Sequence, residues 1–274
     1  MSGRDHQLSV PAGSATARRD QIVVLAALLA VAGLAWGYTI WLSGRMAMTD
    51  MPGMPGMRMD GSSLMAPAFS AWTLVHFLFI FTMWAVMMVG MMTPTVAPMV
   101  LLYARVGRHA TERIAPTIWF VAGYLAAWTL FAALAALAQW GLEALALLTP
   151  MMTSASHRFG GAVLLAAGIY QWLPMKDLCL AGCRAPLSFM QRYGGFQASA
   201  RGSLRLGLLH GSYCVGCCWV LMLLLFVVGV MNPLWIAALM VFALLEKVMP
   251  GGRVLSRIAG CAAIGAGIWM TAVS

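Results

Sequence analysis

Charge is scarce in this chain. Asp, Glu, Lys and Arg make up 9% of its 274 residues, and only eight residues are acidic, against roughly 25% charged in an ordinary soluble domain. Too little charge is available to keep such a surface in water, which excludes a soluble globular fold. Also missing are a Walker loop, a dinucleotide fingerprint, a Gly-x-Ser-x-Gly elbow and a His-Glu-x-x-His helix, so the common nucleotide, hydrolase and zinc-protease chemistries have no motif to carry them. Those absences leave enzymatic activity open. The net charge of +9 comes without a basic helix interleaved with aromatics and without zinc-finger spacing, so no element exists to dock a nucleic acid.

What the chain has instead is long apolar runs, at about 21–42, 71–92, 115–138, 158–173, 207–231, 233–249 and 254–273. A helix rising about 1.5 Å per residue crosses a bilayer core in about 20 residues. Lipid offers no partner to exposed backbone polar groups, so these runs read as helices. The expected fold is an all-α, polytopic transmembrane helix bundle of about seven spans, with the fourth and sixth the shortest. The run at 21–42 is too long for a cleaved signal peptide and is expected to be a membrane anchor. With a cytoplasmic N-terminus, fourteen of the seventeen Lys and Arg fall on the inner side, leaving Arg45, Arg58 and Arg158 outside. That asymmetry predicts a bacterial inner (cytoplasmic) membrane protein with its N-terminus inside and its C-terminus outside. The expected organisation is an N-terminal tail at 1–20, a first transmembrane helix at 21–42, a Met-rich extracytoplasmic linker at 43–68, and a six-span domain at 69–274. Within that domain lies a Cys-rich inner loop at 174–206, and no span-scale repeat is visible.

The fifth run opens with Gly207, His210, Gly211, Cys214, Cys217 and Cys218. At about 100° per residue all six fall on one face, within about 60° of Cys214. Gly207 and Gly211 form a small-xxx-small pair that admits a neighbouring helix closely. Three thiols and an imidazole on one arc suit Cu(I) or Zn(II) better than hard, oxygen-seeking ions. A second pair, Cys179 and Cys183, lies in the inner loop, where a reducing cytoplasm disfavours a permanent disulfide. With the fifth span starting near 207, its thiols are expected about 10–16 Å from the inner face, within reach of that loop. Glu246, at the end of the sixth run, is a costly acid near hydrocarbon. It reads either as an additional ligand or as an ion-pair partner of Lys247 or Arg253. Cys261, isolated among Ala and Gly, reads as packing.

Methionine is the other soft-ligand residue, with 23 copies. Seven lie in the linker between Met46 and Met65, with a local repeat Met51-Pro52-Gly53-Met54-Pro55-Gly56-Met57. Such a segment cannot build a core but can offer thioethers to copper. In the second run, Met83, Met87 and Met91 descend from His76 along one face, within about 60° of it. Thioethers select Cu(I), though Met is also an ordinary gap-filler in cores. Pro94 and Pro98 are expected to kink or end that helix.

Several stretches together are similar to a known family. They are Trp84 through Met92-Thr93-Pro94 with Pro98, Gly123-Tyr124 with Trp128, and Tyr170-Gln171 through Pro174-x-Lys176-x-x-Cys179-x-x-x-Cys183-Arg184-x-Pro186. To these are added Gly211-x-x-Cys214-x-x-Cys217-Cys218-Trp219-x-Leu221-Met222, Gly229-x-Met231-Asn232 and Glu246-Lys247. Over roughly 70–260 the chain resembles the bacterial integral membrane proteins described as predicted metal-binding. The resemblance implies metal binding; the Met-rich linker lies outside the family pattern, so copper in particular rests on this sequence.

The residues thus lead to a soft-metal-binding membrane protein that handles copper by transport, delivery or sensing. Its expected ligands are Cys179, Cys183, Cys214, Cys217, Cys218 and Glu246, with zinc the alternative metal. Its expected partners are the lipid bilayer, the metal ion and another membrane or periplasmic protein. Two rival readings are a membrane thiol-disulfide oxidoreductase cycling Cys214 and Cys217, and a non-catalytic partner or assembly subunit.

Overall fold

A computed structural model describes residues 12–49, 73–111, 114–148, 154 and 156–273. All elements among them are helical apart from one isolated bridge, Leu148 to Ser154, in line with the all-α expectation. The helices are α1 (Ala12–Thr49), α2 (Leu74–Thr111), α3 (Ala115–Ala144), α4 (His157–Tyr170), α5 (Pro174–Arg184), α6 (Pro186–Arg192), α7 (Ala200–Leu223), α8 (Leu225–Val228), α9 (Pro233–Val248) and α10 (Gly252–Ala272). Five segments are long and apolar enough to cross a membrane: Gln21–Arg45, Leu74–Gly107, Ala115–Ala144, Ala200–Val228 and Gly252–Ala272. The fourth and sixth apolar runs form helices of 14 and 16 residues. Those helices are about 21 and 24 Å long, short of a hydrocarbon core of about 30 Å.

Three boundaries differ from the sequence expectation. Helix α1 runs to Thr49, past the expected start of the linker at 43; the segment 51–72, with most of the linker methionines, lies outside the described residues. Helix α2 neither ends at Pro94 nor at Pro98 but continues through both. A proline withdraws one backbone donor from the helix. In this stretch side-chain hydroxyls donate to the carbonyls, Thr93 to Val89 (2.7 Å), Thr95 to Met92 (2.9 Å) and Tyr124 to Met92 (3.2 Å), as helices in lipid require. Finally, the inner loop is mostly helical. Pro174 and Pro186 start α5 and α6, where a missing N–H costs nothing, and α7 begins at Ala200, capped by the Ser199 hydroxyl.

Glycine sets the helix pairs. A Cβ at Gly207 would overlap the Phe120 carbonyl, and one at Gly123 the Leu204 carbonyl. Helices α3 and α7 therefore meet backbone to backbone, the close approach that small residues permit in membranes. Gly207 meets Phe120 while Gly211 meets Tyr124 and Ala127, so the two helices run in the same direction. Helix α2 runs against α7, since Met92, Tyr124 and Cys214 lie at one level while Trp84 packs against Phe226, just beyond the end of α7, with the rings tilted. In the second glycine-packed pair, Gly161 meets Gly267 and Gly168 meets Gly260, which makes α4 and α10 antiparallel. Two parallel helices require the chain to return between them, and α4 is the apolar helix that lies between α3 and α7 in the chain.

The core gathers where α2, α3 and α7 meet. Trp84, Met88, Met91, Met92, Phe120, Tyr124 and Trp128 are completely or almost completely buried there, together with Cys214, Cys217 and Cys218. Apolar side chains such as Leu34, Ile118, Leu130, Leu134, Ile258 and Trp269 are exposed on the outside of the helices, the inverse of a water-facing surface.

Candidate metal centre

Helix α7 presents Cys214, Cys217 and Cys218 from one buried face. Because α7 starts at Ala200, these thiols lie 14 to 18 residues into it, about 21–27 Å along its axis. The helix begins seven residues before the apolar run expected to start it. What brings the second cysteine pair to that depth is α5, which folds back against α7. Gly182, between Cys179 and Cys183, accepts the face of the Tyr213 ring, and Gly216, between Cys214 and Cys217, accepts the Cys179 sulfur. A Cβ at either glycine would press into its partner, at 2.8 and 2.7 Å respectively. Each motif thus carries the glycine that lets the other approach.

Polar contacts hold α5 in that position. Lys176 and Glu246, both buried, form an ion pair of 2.7 Å. Gln171 accepts a second hydrogen bond from Lys176, and Ser256 donates to Glu246. At the other end of α5, the Arg184 guanidinium donates to the carbonyls of Met249 and Pro250, each at 2.7 Å. Asp177 faces Arg253 and Arg257 at 3.8 and 3.7 Å. Glu246, which the sequence offers either as an additional ligand or as a partner of Lys247 or Arg253, is ion-paired with Lys176, across a sequence gap no local rule reveals.

The result is a cluster of four sulfurs. Cys183 Sγ lies 3.9 Å from Cys217 Sγ, and Cys217 Sγ lies 3.3 Å from Cys218 Sγ. Cys214 joins them through its carbonyl, which accepts from Cys217 Sγ at 3.2 Å. Cys179, half-buried, stands beside the cluster against Gly216. All six cysteines are free thiols, and Cys261 is exposed on α10, which corrects its reading as a packing residue. Burial pushes the Cys179 thiol above its ordinary range. The hydrogen bond with Cys214, with burial behind it, does the same to Cys183.

The sulfur spacing is compatible with ligation but is set by hydrogen bonds. Two sulfurs each about 2.3 Å from one ion stand about 3.8 to 4.0 Å apart in tetrahedral or trigonal geometry. Cys183 and Cys217 fit that separation, whereas Cys217 and Cys218 are too close and would have to rotate apart. Among the described residues no three Cys, His, Asp or Glu side chains already stand around one common ligand position.

Two residues that sequence reasoning missed complete the surroundings. Lys247, also buried, turns away from Glu246 and donates from Nζ to Cys214 Sγ and to Thr95 Oγ1, both at 3.0 Å. Tyr124, completely buried, places its hydroxyl 3.0 Å from Cys214 Sγ. Adjacent positions on a helix point about 100° apart, a signal that Glu246 and Lys247 serve different neighbours. His210, one turn before Cys214, is buried among the rings of Phe120, Tyr124 and Phe189, with Nδ1 unpartnered among the described residues.

A family model described as a copper chaperone (PpoB2) matches residues 81–270. The match runs from the methionine-rich half of α2 to the end of α10 and includes every residue of the thiol cluster. No curated protein and no solved structure gives a significant match.

Proposed function

The chain belongs to the PpoB2 copper chaperone family, and on that premise we propose that it binds Cu(I) at the buried thiols of α5 and α7 and passes it on within a membrane. The observation that carries this reading is the convergence of Cys183 with Cys217 and Cys218 at 3.9 and 3.3 Å beside Cys214. Cys183 meets Cys217 across 34 residues of sequence, which brings thiols of two different helices to one place and so gathers soft ligands that no single helix could supply.

Electrostatics favours the monovalent ion. A cuprous ion held by two thiolates carries a net charge of −1, and a buried anion needs a counter-charge. The Lys247 ammonium, 3.0 Å from Cys214 Sγ, supplies it, while Glu246 is already neutralised by Lys176. The ligand set is therefore drawn from Cys183, Cys214, Cys217 and Cys218, with Cys179 as a neighbour able to join. Glu246 serves as the anchor of α5 and not as a ligand. Zinc would require all four positions in tetrahedral array; Cu(I) needs two or three, which the present spacing serves with less rearrangement.

The setting is the inner membrane of a bacterium, crossed seven times, with the N-terminus cytoplasmic. The parallel course of α3 and α7 supports a crossing by α4. Gly160 meets Val227 and Tyr170 donates to the Gly216 carbonyl, so α4 runs against α7 as it does against α10, and the resulting parallel course of α7 and α10 supports a crossing by α9. The thiols then lie deep in the bundle beneath the inner face. The closest rival is thiol-disulfide exchange, read from the sequence at Cys214 and Cys217; the observation in its favour is the 3.9 Å approach of Cys217 to Cys183, a thiol on another helix.

Elemental analysis of detergent-purified protein, reconstituted anaerobically with Cu(I), separates the two. The proposal expects bound copper that is lost in the variant with Cys214, Cys217 and Cys218 all changed to Ser. Equal copper in both proteins refutes it, and a reducible disulfide that responds to an electron donor establishes the rival.

A further inference from the structure

The thiol cluster leaves one set of soft ligands unused. Within ten residues of α2, the side chains of Met83, Met87, Met88, Met91 and Met92 are all at most 2% exposed. Core packing alone would be served as well by Leu, which has fewer rotamers and defines a core better. Their register is ordered. Met83, Met87 and Met91 follow one another at four-residue steps of about 6 Å, and Met88 and Met92 form a second such step on the adjacent face.

The end of this row is tied to the thiols. Thr95 Oγ1 lies 3.8 Å from Met92 Sδ and accepts from Lys247 Nζ at 3.0 Å, which in turn donates to Cys214 Sγ at 3.0 Å. A second bridge runs through Tyr124, whose hydroxyl is 3.2 Å from Met92 O and 3.0 Å from Cys214 Sγ. Met92 and Cys214 therefore share neighbours on two sides, Thr95 at the thioether and Tyr124 at the Met92 carbonyl.

We propose that these five methionines form a lane along which Cu(I) moves to and from Cys214; this rests on the reading of the thiol cluster as a Cu(I) site. The chemistry balances at each step. One Cu–S(thioether) bond forms as another breaks, the oxidation state stays Cu(I), and no proton moves because a thioether carries none. At Cys214 the cation takes the place of the thiol proton, which is released. Neutral soft ligands suit such a passage, since they hold Cu(I) loosely, reject Zn(II) and add no buried charge.

The test is a loading experiment on the full-length protein in detergent, with Cu(I) supplied from a chelator of known affinity. A variant with Met87, Met88 and Met91 changed to Leu nearly conserves core volume. It should reach the wild-type copper stoichiometry but load and unload at least about tenfold more slowly. Met190→Leu, a buried methionine of α6 away from the lane, should change nothing. A second measurement does not depend on the triple variant folding. In selenomethionine-labelled wild-type protein frozen part-way through loading, bound Cu(I) should show a Cu–Se path in X-ray absorption beside the Cu–S paths of the thiols. Wild-type loading rates in the Leu variant, or copper without selenium neighbours, overturn the lane while leaving the thiol site intact. If the wild-type protein takes up no Cu(I), the thiol reading and the lane fall together.

Discussion

Replacing Lys247 by Met removes a positive charge from the thiol cluster while keeping most of the apolar stem. The Nζ atom lies 3.0 Å from Cys214 Sγ. At an effective dielectric near 20, a unit ammonium and a unit anion at that distance attract by about 5 kcal/mol. Only part of this bears on binding, because the −1 charge of a copper dithiolate is shared between two sulfurs and the vacated space can admit polar compensation. About half the attraction is the expected loss, or about 2–3 kcal/mol relative to neutral thiols. That corresponds to a Cu(I) affinity about 30- to 140-fold lower. The assay is competition against a chromophoric Cu(I) chelator under anaerobic conditions, with Lys247→Arg as the charge-preserving control. Arg should retain most of the affinity, and Met should lower it without changing the number of ions bound. Equal affinity in wild type and Lys247→Met would refute the counter-charge argument, whatever the identity of the ligands.

The remaining predictions concern the same framework. Because the Cys179 and Cys183 thiols are held above their ordinary range, they are protonated at neutral pH and the metal must expel their protons. Cu(I) affinity should therefore fall as pH is lowered, by about tenfold per unit for each proton released, and a pH-independent affinity between pH 6 and 8 would contradict thiolate ligation. Breaking the buried Lys176–Glu246 pair with Glu246→Gln leaves an ammonium without its counter-charge and should destabilise the fold by about 3–5 kcal/mol, visible as earlier thermal unfolding in detergent. The double change Lys176→Met with Glu246→Leu should recover much of that loss. Gly207→Ala drives a Cβ into the Phe120 carbonyl, where backbone cannot yield, and should cost about 3 kcal/mol by overpacking; an unchanged melting temperature would mean that α3 and α7 are not locked at this crossing.

The sequence by itself determined the material of the protein and the chemistry of its parts. Scarce charge and long apolar runs dictated helices, because no other element satisfies its backbone in lipid. Helical periodicity placed Cys214, Cys217 and Cys218 on one face, since that depends only on the local 3.6-residue repeat. The same repeat aligned Met83, Met87 and Met91, and Gly207 and Gly211 announced a close helix contact. What only the tertiary structure decided is which distant residues meet. Gly182 and Gly216 let α5 settle on α7, bringing Cys183 to Cys217 across 34 residues of sequence. Lys176, and not a neighbour in the chain, neutralises Glu246, which frees Lys247 for Cys214. Where α7 begins was likewise a matter of the Ser199 cap rather than of hydropathy. Local pattern fixes the direction in which a side chain points from its own helix; the partner it meets depends on how helices far apart in the chain pack together.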